Sequence, residues 1–187
     1  MIKAIITDFD GTLVDTFEAN YNAYYEVLDT FGISLTRERY RDCFGLRFDE
    51  FMNAIGVVGD PVFRKKIRDL KKEVYPKYFN CIKLNTELVQ FLSVMRRNGL
   101  RIAIASTASK DNLTNVLHHF GLINLFDDII TGEYVSNGKP DPEVYIFTME
   151  RIDVEPDEVL IFEDSKVGIQ AAQASGASVI KIKEKLF

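Results

Sequence analysis

The chain has 187 residues, of which 47% are hydrophobic, so it can bury the core of one domain or of a domain with a modest insertion. Its formal net charge of −5 and pI near 5.2 argue against a nucleic-acid-binding surface, which is normally basic. No segment approaches the length of a membrane span and Lys3 interrupts the apolar start, so we expect no signal peptide, no membrane partner and a cytoplasmic location.

The first predicted element is a strand over residues 1–7, because this short, β-branched and mostly apolar run suits a buried parallel strand. Gly11 marks its end. Asp8 and Asp10 follow the run, and side chains two residues apart in an extended chain project to the same side. Two close carboxylates repel unless a cation neutralises them, and oxygen ligands suit Mg²⁺. Taken alone, the pair is also explained by a turn, where aspartate is common.

Residues 17–78 are predicted to be all helical, because apolar and aromatic residues recur there at helical spacing and no strand pattern interrupts them. Gly32 and Gly45 separate helices, and Thr36 starts a short one. Pro61 is placed to occupy the first turn of a longer helix.

From residue 84 onward, helices and strands alternate. The predicted strands are 101–105, 129–131, 159–162 and 179–182, and the predicted helices are 86–99, 111–120, 141–152 and 166–175. This alternation indicates an α/β fold, a Rossmann-like parallel sheet core flanked by helices, with an all-helical insertion after the first strand. We expect the core to comprise residues 1–14 and 81–187 and the insertion residues 15–80.

Polar residues follow several of these strands, and ligands of parallel sheets bind beyond the carboxyl ends of the strands. Ser106 and Thr107 follow the strand at 101–105 and offer hydroxyl and backbone N–H groups to phosphate oxygens. Lys139 stands in a loop, between a glycine and a proline. Glu163 and Asp164 form a second acidic pair after the strand at 159–162. Each of these features alone is also explained by a helix start or a solvated surface.

Together and in this order, the residues resemble the motifs of the haloacid dehalogenase superfamily, specifically its phosphohydrolases. Asp8-x-Asp10-Gly11-Thr12 resembles the first motif, Ser106 the second, Lys139 the third and Glu163-Asp164 the fourth. The helical insertion is similar to the small cap domain of the subgroup that includes phosphoglycolate phosphatases and beta-phosphoglucomutases.

The resemblance implies a Mg²⁺-dependent phosphatase that hydrolyses a small phosphorylated metabolite through an aspartyl-phosphate intermediate. It assigns nucleophilic attack to Asp8 and acid–base catalysis to Asp10, with Ser106 and Lys139 as the other catalytic residues. The phosphate-binding residues that it implies are Gly11, Ser106, Thr107 and Lys139. The Mg²⁺ ligands that it implies are Asp8, the backbone carbonyl of Asp10, Asp164 and Glu163.

Substrate choice is expected to depend on the helical cap. Arg47 is the candidate for reaching the leaving group or a second anionic group, and a solvated surface arginine is the equal alternative. Asn20 stands where the phosphoglucomutases of the subgroup carry a histidine, which favours net hydrolysis over mutase activity.

Three alternative functions remain open. A phosphosugar mutase is the nearest, and a dehalogenase would share the fold without needing Mg²⁺. A non-catalytic or phospho-receiver-like binding module belongs to a different class, and a receiver would not carry the helical insertion. The expected partner is a small phosphorylated metabolite, and the expected oligomeric state is a monomer or weak homodimer.

Overall fold

The structure is a computed structural model that describes residues 1–183. The chain divides into two compact units, the first made of residues 1–15 and the chain from residue 84 onward, the second of residues 16–83. The last four residues of the predicted core, 184–187, lie outside the described residues.

The described chain contains seven strands. They are β1 (Ala4–Thr7), β2 (Val14–Asp15), β3 (Lys83–Leu84), β4 (Arg101–Ala105), β5 (Asp128–Ile130), β6 (Val159–Glu163) and β7 (Ser178–Lys181). Five of them form one sheet in the order β5-β4-β1-β6-β7, and every pairing in it is parallel. The strands β2 and β3 form a separate two-stranded sheet.

The register of the large sheet brings the carboxyl ends of its three central strands to the same edge. Thr7, the last residue of β1, lies beside Ile104 on one side and Phe162 on the other. The residues that follow these positions therefore meet at this edge, and ligands of parallel sheets bind there.

The described part of the first unit contains four α-helices: α5 (Thr86–Arg97), α6 (Lys110–His119), α7 (Glu143–Arg151) and α8 (Lys166–Ala174). Two of them begin at side-chain caps, because Asn85 Oδ1 accepts from the backbone N–H of Leu88 and Ser165 Oγ accepts from that of Gly168. Apolar residues of the strands, α7 and α8 share one buried cluster, which fixes these helices against the sheet.

The second unit is helical, with α1 (Phe17–Asp29), α2 (Arg37–Asp42), α3 (Phe48–Ala54), α4 (Pro61–Val74) and a 3₁₀ segment (Tyr75–Cys81). Its apolar residues form a core of their own, rich in aromatic rings. Thr36 caps α2 by accepting from the backbone N–H of Arg39, and Pro61 opens α4.

The predicted α/β class, with a parallel sheet and a helical insertion after its first strand, is confirmed. Two details differ. The first strand begins at Ala4 rather than at residue 1, since Met1, Ile2 and Lys3 are exposed. The short strands β2 and β3 have no sequence signal, because two residues are too few to establish a periodicity. None of the helices within residues 1–183 combines the length and the hydropathy that crossing a bilayer requires.

Candidate active site

Asp8 is the residue that follows β1, at the sheet edge where the central strands end. Its backbone N–H donates to the carbonyl of Phe162 on the neighbouring strand at 2.9 Å. The side chain is buried although it carries a carboxyl group. A buried carboxylate needs hydrogen-bond or ion-pair partners for its oxygens, so the neighbours of Asp8 must supply them.

Lys139 supplies the main partner. Its ammonium group donates to Asp8 Oδ1 at 2.6 Å, to Glu163 Oε1 at 2.7 Å and to the carbonyl of Ala105 at 3.3 Å. These three acceptors match the three protons of an ammonium group. The sheet edge thus holds one cation between two carboxylates that are far apart in the sequence.

Glu163 ends β6 and is almost fully buried. While Oε1 faces Lys139, Oε2 accepts from the backbone N–H of Ser165 at 2.8 Å and from its hydroxyl at 3.1 Å. Gly168 provides the space for this carboxylate, because a Cβ atom built on Gly168 would overlap Glu163 Oε1. Both oxygens of Glu163 are therefore held by protein donors.

Asp164 lies next to Gly11 and Thr12 of the first loop. Thr12 Oγ1 donates to Asp164 Oδ1 at 2.8 Å. Gly11 has a φ of +90°, and a Cβ atom at this position would overlap the Asp164 carboxylate. Both the backbone conformation and the close approach therefore require glycine here.

Asp8, Glu163 and Asp164 each offer an oxygen, and these oxygens all lie within 4.8 Å of one another. Burial raises the pKa of Asp8 to about 8; Lys139 opposes this shift and Glu163 adds to it. Burial also raises the pKa of Asp164. A nearby divalent cation would favour the ionised forms, and carboxylate oxygens are ligands that Mg²⁺ prefers. The donor set therefore fits a Mg²⁺ ion.

Burial alone would lower the pKa of Lys139, but the charges of Asp8 and Glu163 contribute to holding it well above its ordinary value. Lys139 is therefore a permanent cation at neutral pH. A fixed positive charge beside Asp8 is suited to receive an anionic group.

The other predicted site residues fall into three places. Asp10 is partly buried in the loop that closes at Val14, two residues after Asp8. Ser106 is buried directly after β4, where its hydroxyl accepts from the backbone N–H of Ala108, and Thr107 follows it.

Arg47 lies in the second unit, just before α3, where its backbone N–H donates to Glu50 Oε2. Among the predicted residues, Lys139 is joined by hydrogen bonds to both Asp8 and Glu163.

Three residues that contact or accommodate Glu163 were not predicted from the sequence: Tyr145, Ser165 and Gly168. Tyr145 donates its hydroxyl to Glu163 Oε1 at 3.2 Å. Ser165 carries a recognisable signal, since a serine before a helical pattern is a frequent N-cap. The sequence gives no comparable signal for Tyr145 or Gly168, because their roles depend on contacts across the fold.

We expect Gly168→Ala to lower kcat by about 100-fold for any reaction that uses the pair of Lys139 and Glu163, because the added methyl displaces the Glu163 carboxylate and with it Lys139. Alanine favours the helix by about 1 kcal/mol over glycine, so a loss cannot be attributed to a weaker helix. Gln170→Ala, at an exposed position of the same helix, is the matched control and should leave kcat unchanged. A Gly168→Ala enzyme within twofold of wild type would contradict this account of the glycine.

Comparison with known proteins places the chain in a family. The model of the haloacid dehalogenase-like hydrolases matches residues 5–182. A "phosphorylated carbohydrates phosphatase" of Thermotoga maritima is 31% identical over 180 residues, which cover 94% of this chain and 82% of the relative. The beta-phosphoglucomutase of Bacillus subtilis is 23% identical over 190 residues, covering 97% of this chain and 83% of the relative.

A solved structure gives the same result for the fold. The crystal structure of CbbY from Rhodobacter sphaeroides in complex with phosphate superposes with a TM-score of 0.88 at 28% identity, covering 98% of this chain and 87% of that one. Two predictions made from the sequence are therefore confirmed: the family, and that the protein is a hydrolytic enzyme. With the family match spanning nearly all of its described residues, the chain belongs to the haloacid dehalogenase-like hydrolases.

Proposed function

We propose that this enzyme is a Mg²⁺-dependent phosphatase of a small phosphorylated metabolite. A phosphorylated carbohydrate is the first substrate class to test, because the relative from Thermotoga maritima is named for it. The observation that carries the proposal is the Lys139 ammonium held between Asp8 and Glu163, with Asp164 close by. A buried carboxylate beside a fixed cation at the end of a parallel strand is suited to attack an anionic phosphorus centre.

Asp8 acts as the nucleophile. One of its carboxylate oxygens forms a bond to phosphorus while the bond from phosphorus to the alcohol oxygen breaks, which yields an aspartyl-phosphate and the alcohol. Water then attacks this intermediate, releasing inorganic phosphate and restoring the carboxylate. Two displacements replace one difficult hydrolysis.

Asp10 acts as acid and then as base. It gives a proton to the departing alcohol oxygen and later accepts one from the attacking water. Its position two residues after Asp8 and its partial exposure suit a group that must meet both substrate and water.

Lys139, Ser106 and the backbone N–H of Thr107 stabilise the charge on the transferring phosphoryl oxygens. Lys139 also holds Asp8 in one orientation through the 2.6 Å hydrogen bond. Fixed donors of this kind act without reorganising during the reaction, which is why they contribute strongly to catalysis.

The residues that would hold Mg²⁺ are Asp8, the backbone carbonyl of Asp10, and Asp164, with Glu163 as a further ligand or as support for the others. When bound, the ion supplies positive charge that screens the nucleophile from the phosphate. Asp8, Glu163 and Asp164 offer oxygens close enough together for one ion.

We also propose that the second unit serves as the cap that selects the substrate, with Arg47 as its contact to the leaving group. The unit has an aromatic-rich core of its own, separate from the core of the sheet. The cytoplasmic location and the monomeric or weakly dimeric state remain predictions.

Asn20 favours a phosphatase over a mutase. Its side-chain amide donates to Thr16 Oγ1 at 3.0 Å and accepts from the Lys71 ammonium at 2.7 Å. An amide cannot transfer a proton as the histidine of the mutases can. We therefore expect the phosphoryl group to pass to water rather than back to the sugar.

The test is phosphate release from a panel of phosphorylated carbohydrates and small phosphomonoesters, with ³¹P NMR to separate hydrolysis from isomerisation. With Mg²⁺ we expect inorganic phosphate to accumulate and no isomeric sugar phosphate to appear. Sugar-phosphate isomerisation without phosphate release would support the mutase instead. Failure to release phosphate from any ester would overturn the proposal.

Metal removal gives a second prediction. Treatment with EDTA followed by gel filtration should reduce phosphate release by at least 100-fold, because the carboxylates around Asp8 then lack a neutralising cation. Adding Mg²⁺ should restore the activity, whereas adding Na⁺ at matched ionic strength should not. Unchanged activity after verified metal removal would contradict Mg²⁺ dependence.

A further inference from the structure

Tyr145 is a buried polar residue to which the proposed reaction gives no role. It lies in α7, it has no solvent exposure, and it is one of the largest fully buried side chains in the chain. A tyrosine placed this deeply needs a partner for its hydroxyl. The partner is Glu163 Oε1, at 3.2 Å.

The same oxygen of Glu163 accepts from Lys139 at 2.7 Å. Lys139 also lies 4.9 Å from the centre of the Tyr145 ring, within the range of a cation–π contact. Tyr145 therefore contacts the pair twice, through its hydroxyl on Glu163 and through its ring beside Lys139.

The hydroxyl matters for where the ammonium lies. Ser165 fixes Oε2 of Glu163 with two hydrogen bonds, so the remaining freedom of the carboxylate is at Oε1. Without the tyrosine hydroxyl, Lys139 would be the only donor to Oε1 among residues 1–183, and the ammonium would shift toward Glu163 and away from Asp8. A second donor shares the charge of Oε1 and opposes that shift.

We propose that Tyr145 is a positioning residue that holds the Lys139 ammonium against Asp8 by sharing Glu163 Oε1. The inference rests on the proposed function for its effect on catalysis. The effect of Tyr145 on the position of the Lys139 ammonium is independent of the proposed function, because it is a property of the protein without substrate.

The test compares Tyr145→Phe with Tyr134→Phe. Phenylalanine keeps the ring of Tyr145 and removes only its hydroxyl. Tyr134 is the matched control, because its hydroxyl also pairs with a lysine, Lys110, on an exposed part of the same unit. We expect Tyr145→Phe to lower kcat about tenfold with KM changed less than twofold, and Tyr134→Phe to change neither beyond twofold.

A second readout separates positioning from a general loss of stability. In metal-free protein, ¹H–¹⁵N NMR at low temperature reports the exchange of the Lys139 ammonium protons with water. We expect Tyr145→Phe to accelerate this exchange at least tenfold while the backbone amides of β1 and β6 exchange at the wild-type rate. Acceleration at all of these sites together would indicate a structural role and overturn the proposal.

The remaining outcomes are also decisive. Lys139 exchange within twofold of wild type would overturn the proposal, whatever happens to kcat. Faster exchange with kcat unchanged would overturn the part of the proposal that concerns the reaction. If the wild-type protein released no phosphate from any ester, the proposed function would fail, and the exchange measurement would still decide whether Tyr145 holds Lys139.

Discussion

Asp8→Asn is expected to reduce kcat by about 10⁴-fold or more, the scale seen when a covalent nucleophile is removed from other hydrolases. An amide oxygen can still accept a hydrogen bond from Lys139, but it cannot form a stable bond to phosphorus. The loss should therefore appear in kcat, whereas binding of the phosphate ester should change little.

The fold should survive this substitution. Asparagine has nearly the volume of aspartate, and burial already disfavours the charge of Asp8, as its raised pKa indicates. Lys139 keeps Glu163 as a charged partner. We expect the free energy of unfolding of the metal-free protein to change by no more than about 2 kcal/mol, since no charge is left buried without a partner.

Acid-quenched intact-mass spectrometry should detect a phosphorylated form of the wild-type enzyme during turnover and none of Asp8→Asn. Asp153→Asn is a suitable control, because this exposed aspartate has a φ of 51°, a conformation that asparagine also tolerates. The control should retain wild-type activity. An Asp8→Asn enzyme that keeps more than about 1% of the wild-type kcat would require another nucleophile, given the 10⁴-fold expectation.

The sequence predicts elements well where a local signal exists. The strand at 101–105 is found at its predicted residues, because a buried parallel strand is a continuous apolar run. The helix α4 begins at Pro61, whose fixed φ suits the first turn. Beyond α4, the region that the sequence predicts only as helical has the 3₁₀ form over residues 75–81. Pro76 explains this, because it lacks the N–H that an α-helix would need there.

For the candidate site, the sequence predicts which residues follow each strand. It does not predict their pairings, since Lys139 is separated by 131 residues from Asp8 and by 24 from Glu163. Periodicity reports only the face on which a residue lies, and a hydrogen bond across the sheet edge leaves no periodic signal. Tyr145 illustrates this limit, because nothing in the sequence pattern indicates the carboxylate that its hydroxyl reaches.

Lys139→Met is expected to have the second largest effect on activity, and it should also destabilise the protein. Losing a preorganised cation beside the transferring phosphoryl group should lower kcat by about 10³-fold. Methionine fills a similar volume, so the change removes charge without opening a large cavity.

The effect of Lys139→Met on stability follows from burial. The side chains of Lys139, Asp8 and Glu163 are each less than 10% exposed, so the two carboxylates would be left without their cation. Removing one partner of a buried ion pair costs about 3–5 kcal/mol. Protonation of Asp8 removes part of this energetic cost. We therefore expect urea unfolding of the metal-free protein at pH 7 to show a free energy of unfolding lower by about 3 kcal/mol.

Lys65→Met is the matched control for stability. Lys65 pairs with Asp69 one helical turn away, and both side chains are about half exposed or more. Exposed pairs of this kind contribute little because water and salt screen them, so the control should leave the free energy of unfolding almost unchanged. Equal losses in the two variants would show that burial of the Lys139 pairs has no special energetic effect.

Mg²⁺ should distinguish the charge of Lys139 from its packing. The variant is expected to lose stability because Asp8 and Glu163 lack a cation. Saturating Mg²⁺ supplies part of the missing charge, so it should raise the Tm of Lys139→Met by more than it raises the Tm of the wild type. Activity should nevertheless stay low, because a cation bound among the carboxylates does not restore the positive charge that Lys139 holds at its own position beside Asp8. An equal Mg²⁺-dependent rise in both proteins would mean that lost packing, rather than uncompensated carboxylates, destabilises the variant.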